Sequence, residues 1–97
     1  MPLLFVIPGA LREFSGNRGE VAIARTAATV ADALMLLWQE CPGARDRVLT
    51  ELGEVRPHVN IFVDGDNVRY AGGLAAPVRD DAEIAIVPAV SGGEPRP

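Results

Sequence analysis

Lysine is missing altogether, and all nine basic residues are arginine. A sister molecule therefore offers no side-chain amine to an isopeptide bond, so self-linked chains of that kind are implausible. Cysteine occurs once, at Cys41, which rules out an internal disulfide and removes any call for an oxidising compartment. Histidine also occurs once, at His58. With one of each, no cluster has metal-site spacing, and a nucleophile, a base and an orienting group are not readily assembled. Positive charge is short: thirteen carboxylates against nine arginines leave a net charge of -4. That argues against general affinity for nucleic acid or an anionic membrane. A long apolar run is also lacking. The opening MPLLFVIPGAL is broken by Pro2 and Pro8, has no basic residue before it, and is too short to cross a bilayer. A cytoplasmic location is the expectation. The chain of 97 residues makes one small domain, burying about 60–65 % of its unfolded surface. At 48 % hydrophobic and 23 % charged it has a globular rather than a disordered balance.

Leu3–Ile7 reads as a strand stopped by Pro8-Gly9, and Leu11–Phe14 as a short continuation or a single turn. The turn-forming run Ser15-Gly16-Asn17-Arg18-Gly19-Glu20 then leads to a weaker strand, Val21–Ala24, which pairs with the first. A helix follows. Thr29 can cap it, with Asp32 in the position of a capping-box acid. Val30, Ala33, Leu34, Leu37, Trp38 and Cys41 fall on one face at the helical period, and Pro42-Gly43 ends it. Val48, Leu49 and Leu52 suggest a short helical turn closed by Gly53. Val59–Val63 is the clearest strand; Asp64-Gly65-Asp66-Asn67 is a tight turn in which Gly65 or Asn67 takes positive φ. Val68–Tyr70 reads as a brief edge strand, Gly72–Pro77 as loop, Asp80-Asp81 as a turn and Glu83–Val87 as the last strand.

The economical solution is α+β: a four- to five-stranded mixed sheet packed on one main helix. The first and last strands, nearly uninterrupted apolar runs, belong at its centre, which is the β-grasp arrangement. Residues 1–87 form the domain, and 88–97 read as a flexible tail without period.

Most of the polar inventory has a structural explanation. Cys41 lies on the buried helix face and behaves as a small hydrophobe. His58 follows Pro57 at the mouth of a strand and reads as a solvated ring. Asp64, Asp66, Asp80 and Asp81 supply turn chemistry without the ligand spacing of a calcium loop. Gly72-Gly73 lacks the strand and helix context of a nucleotide loop. Gly92-Gly93 differs through its position. It follows a terminal apolar strand by a few residues, and two residues without Cβ let a chain pass a narrow channel and present a carboxylate to chemistry performed elsewhere. Alternation along two strands offers a partner surface: Phe62 points out between Ile61 and Val63, and Ala85 and Val87 point out around Ile86. The alternative is that loop Leu74–Val78 covers them.

The segment Ile86-Val87-Pro88-Ala89-Val90-Ser91-Gly92-Gly93 resembles the C-terminal signature of the ThiS/MoaD family of ubiquitin-like sulfur carriers. Leu11-Arg12-Glu13-Phe14-Ser15-Gly16 is similar to the same family. The stretch from Val59 to Arg69, followed by Gly72-Gly73-Leu74, resembles the branch that feeds sulfur to a cysteine synthase. The likeness spans Leu3 to Gly93. It implies a ubiquitin-like β-grasp and a protein cosubstrate rather than an enzyme, with no bound cofactor or metal. It further implies that Gly93 is the reactive terminus and Gly92 its conformational companion. An adenylating and sulfurtransferase partner would spend ATP on the Gly93 carboxylate and convert it to a thiocarboxylate, and a sulfur-accepting enzyme such as a cysteine synthase would take the sulfur.

Glu94-Pro95-Arg96-Pro97 depart from the family pattern, because Gly93 has no free carboxylate while they remain. The resemblance implies cleavage between Gly93 and Glu94 by a JAMM-type zinc metalloprotease. Pro95 and Pro97 favour an extended segment that suits a protease cleft. The alternatives are the small subunit of molybdopterin synthase or another sulfur carrier for a cofactor or metabolite, and a non-catalytic β-grasp binding module with an inert tail. A stand-alone enzyme fits least well.

Overall fold

A computed structural model describes residues 2–88. The first strand, β1 (Leu3–Val6), buries Leu3 and Phe5 completely and leaves Leu4 and Val6 half-buried, so it is apolar on both faces. It is followed by six residues of 3-10 helix, Gly9–Phe14, which bury Leu11. The stretch after β1 is thus a turn rather than more strand. Strand β2 (Glu20–Ile23) returns antiparallel to β1, with Leu3 opposite Ile23 and Val6 opposite Glu20.

Helix α1 (Val30–Glu40) starts where the sequence places it: the Asp32 backbone N–H donates to Thr29 Oγ1 at 3.2 Å. Its inner face is Val30, Ala33, Leu34 and Leu37, continued by buried Cys41, whose N–H closes the helix on the Leu37 carbonyl at 2.8 Å. Trp38 packs at the margin. Helix α2 (Arg45–Val48) is a single turn, with Val48 and Leu49 buried beside it. The apolar pattern misleads at Leu52, which is 85 % exposed. Thr50 redirects the backbone there. Its hydroxyl accepts from the N–H groups of Leu52 and Glu54, and its own N–H donates to the Glu54 carbonyl at 2.7 Å.

Strand β3 (Val59–Val63) and the two-residue β4 (Asp66–Asn67) form a hairpin around Asp64 and Gly65, at φ 50° and 91°. Two successive left-handed residues give the turn whose twist matches the strands. Gly65 therefore takes the positive φ as expected, but its companion is Asp64; Asn67 has φ -69°. The edge strand expected at Val68–Tyr70 is a 3-10 turn instead. Asn67 Oδ1 accepts the Arg69 N–H at 2.9 Å and caps that turn, overriding the strand preference of valine and tyrosine.

The last strand, β5 (Glu83–Pro88), is the centre of the five-stranded sheet, in the order β2-β1-β5-β3-β4. It runs parallel to β1 and antiparallel to β3. Asp64 fixes its start: the Asp64 N–H donates to the Glu83 carbonyl at 2.9 Å, and Asp64 Oδ1 accepts the Glu83 N–H at 3.0 Å. Helix α1 lies across one face of the sheet, and the core fills the space between them.

Candidate docking face and tail root

The face turned away from α1 carries the residues that alternation along the strands had pointed outwards. One row crosses all five strands: Glu20, Val6, Ala85, Phe62 and Asn67 are successive register partners. The next row toward the C-terminal end of β5 pairs Val87 with Asn60. Phe62, Ala85 and Val6 are half-buried, and Val87 is 45 % exposed. Their neighbours on the same strands, Phe5, Ile61, Ile84 and Ile86, are fully buried on the other side. The result is an apolar band bounded by Asn60 and Asn67, whose side chains hydrogen-bond at 3.1 Å. Loop 74–78 is tied to the helix side: the Val30 N–H donates to the Ala76 carbonyl at 3.0 Å, and the Val78 N–H to the Ala28 carbonyl at 3.0 Å. Leu4 and Val6 extend the band along β1. The uniformly apolar run Leu3–Ile7 hides that role in the sequence, since nothing in it marks which side chains face outward.

At the tail root, Pro88 ends β5 beside a small cleft of about 150 Å³ lined by Ala10, Leu11, Arg47, Val48 and His58. His58 is exposed here, where it borders the chain that leads on towards Gly92 and Gly93. Those two glycines and Glu94 lie outside the described residues, as does the proposed cleavage point. The remaining polar candidates are accounted for locally. Asp64 clasps Glu83 and lies 3.6 Å from Arg79, and Arg79 also reaches Asp81 at 3.9 Å. Gly72 turns the chain at φ 111°, close against the Ala76 backbone. Burial pushes the Cys41 thiol up from its ordinary value, with nearby Arg18 opposing. Among the described residues, no three side chains of His, Cys, Asp or Glu could together hold a metal ion, and no helix is long and apolar enough to cross a membrane.

A five-stranded mixed sheet wrapped on one main helix, with its last strand at the centre, defines a ubiquitin-like β-grasp protein. The ThiS family model matches residues 5–93, and the chain belongs to that family of sulfur carriers. A putative sulfur carrier protein of Archaeoglobus fulgidus is 42 % identical over 77 residues, covering 79 % of this chain and 88 % of that protein. The sulfur carrier protein CysO of Mycobacterium tuberculosis is 32 % identical over 89 residues, 90 % of this chain and 94 % of its own. Among solved structures, a chain of the Amycolatopsis orientalis BexX/CysO complex superposes with a TM-score of 0.85 at 32 % identity. The match covers 94 % of this chain and 99 % of that one.

Proposed function

We propose that this protein is the precursor of a sulfur carrier for cysteine biosynthesis. The observation that carries the reading is the family match that runs to Gly93, on a chain whose central strand leads directly into that segment. Removal of residues 94–97 by a JAMM-type zinc metalloprotease frees the Gly93 carboxylate. A carboxylate is a poor electrophile, so an adenylating partner joins it to the α-phosphate of ATP and releases pyrophosphate. Hydrosulfide-level sulfur supplied at the sulfurtransferase side of that partner then adds to the acyl carbon and expels AMP, so that the C–S bond replaces the C–O bond to the nucleotide and the terminus becomes a thiocarboxylate. Gly92 lets the chain thread the active-site channel. The thiocarboxylate is a soft nucleophile that reaches a cysteine synthase without release of sulfide. The likeness to CysO supports the choice of cysteine. In this scheme the protein is a cosubstrate that binds no cofactor of its own and works in the cytoplasm.

The deciding measurement is the intact mass of the protein recovered from its native cells. The expected species ends at Gly93 with one oxygen replaced by sulfur. Finding only chains that end at Pro97, under sulfur limitation and oxidative stress alike, would overturn the proposal.

A further inference from the structure

The chain carries a net charge of -4, yet its charge is unevenly distributed along the sheet. Asp64, Asp66, Asp80, Asp81 and Glu83 gather at the end where β5 begins, with Arg79 bridging Asp64 and Asp81. The end where β5 finishes is different. Arg47 lines the cleft against Pro88 and His58. Arg12 donates its Nε–H to the Ile7 carbonyl at 3.2 Å, just past the end of β1, the strand parallel to β5. Arg69 reaches the carbonyls of Pro57 and Val59, on either side of His58, at 3.2 and 3.1 Å.

All three arginines are exposed, and among the described residues none of them enters an ion pair. The guanidinium groups of Arg12 and Arg69 donate to backbone carbonyls, which orient a guanidinium without neutralising it. Arg47 is positioned differently. Its guanidinium lies 5.5 Å from the centre of the Phe14 ring, and that ring sits against Gly43, where a Cβ would collide with it. Glu13 and Glu20 stand at the same end, and Glu54 lines a cleft with Arg69, but among the described residues none of these carboxylates forms an ion pair with the three. Three exposed guanidinium groups that enter no ion pair among the described residues thus stand at the end of the sheet where β5 finishes, with Arg47 beside Pro88 itself.

We propose that Arg12, Arg47 and Arg69 form a cationic collar that docks on an acidic surface of the adenylating partner, bordering the cleft that receives the tail. The inference rests on the sulfur-carrier reading, and it specifies the chemistry of the partner's rim. Complementary rim charge acts mainly on encounter and orientation. The collar therefore governs how often the tail enters the cleft and leaves the chemistry inside it unchanged.

The test uses the chain ending at Gly93 as substrate for the adenylating enzyme of the same organism, followed by ATP–pyrophosphate exchange. Arg47→Glu is expected to raise KM about tenfold or more with kcat unchanged. Arg47→Lys restores KM, and Asp80→Asn at the far end leaves it alone. With the unaltered chain, KM is expected to climb as salt is raised, and Arg47→Glu flattens that dependence. The salt series on the unaltered chain does not depend on any variant folding. A KM insensitive to salt, or to Arg47→Glu in a variant with normal melting, overturns the collar and leaves the sulfur-carrier reading standing. Absence of exchange with the unaltered chain overturns both.

Discussion

Phe62 and Cys41 show how differently two apolar side chains can serve one small domain. Phe62 lies half-buried in the outward row, between Ala85 and Asn67, whereas its neighbour Ile61 is fully buried on the core side, beside Val55, Val68 and Leu74. Phe62→Ala should weaken binding to the adenylating partner about tenfold or more. Its cost in folding stability should stay under about 2 kcal/mol, a threshold that a fully buried phenylalanine would exceed. Titration calorimetry alongside urea unfolding separates the two effects, and a large stability loss would make Phe62 a core residue. Cys41 is on the other side, 1 % exposed, and burial raises its thiol above the ordinary value. The sign of the pH effect follows directly. The folded chain keeps the proton that the unfolded chain gives up. The thiol's contribution is therefore fully present below the usual thiol range, about pH 8.5, and is lost as pH rises from there toward the folded value. Urea midpoints measured under reducing conditions should decline over that alkaline interval, and the decline should be shallower in Cys41→Ala. Equal slopes in both proteins would show that the thiol is not responsible.

Among the elements, α1, β3 and β5 were legible because period and punctuation agree in them. Thr29 opens α1, its apolar face keeps the helical spacing, and Pro42 ends it. Removing the opening signal should be measurable: Thr29→Ala leaves an N–H of the first turn without its partner and should cost about 1 kcal/mol. The urea midpoint should fall with an unchanged slope; an unaltered midpoint would mean that water replaces the hydroxyl at no cost. Where the reading failed, one polar side chain had taken control of the backbone. Asn67 converts Val68–Tyr70 from a strand into a capped turn, and Thr50 sends Leu52 into solvent. Strand and helix preferences are averages over side-chain packing, and a single local hydrogen bond can outweigh them in a segment of three or four residues. The candidate face was half legible for a related reason. Phe62, Ala85 and Val87 stand out by alternation, whereas Leu4 and Val6 are lost in an unbroken apolar run. The collar was not legible at all, since Arg12, Arg47 and Arg69 come to the same end of the sheet only once β1, β3 and β5 have been placed side by side.

At the scale of the whole molecule, the described core ends ahead of the terminus that the proposed function makes reactive. Among the described residues, the buried apolar side chains lie between Leu3 and Ile86. A chain stopped after Pro88 should therefore melt at the same temperature as the full-length protein while failing as a substrate for adenylation. A marked drop in melting temperature on differential scanning calorimetry would show that later residues contribute to the core. The position of β5 has a mechanical consequence as well. A partner that grips the tail pulls on the strand held from both sides, by β1 running parallel and by β3 running antiparallel. Load applied along β5 is shared in shear by both ladders, so their hydrogen bonds must give way together rather than peel open one at a time. In the proposed scheme, traction on the segment that follows Pro88 is thus taken up by the part of the domain that resists it best, and the domain stays whole while its terminus is drawn into the partner's active site.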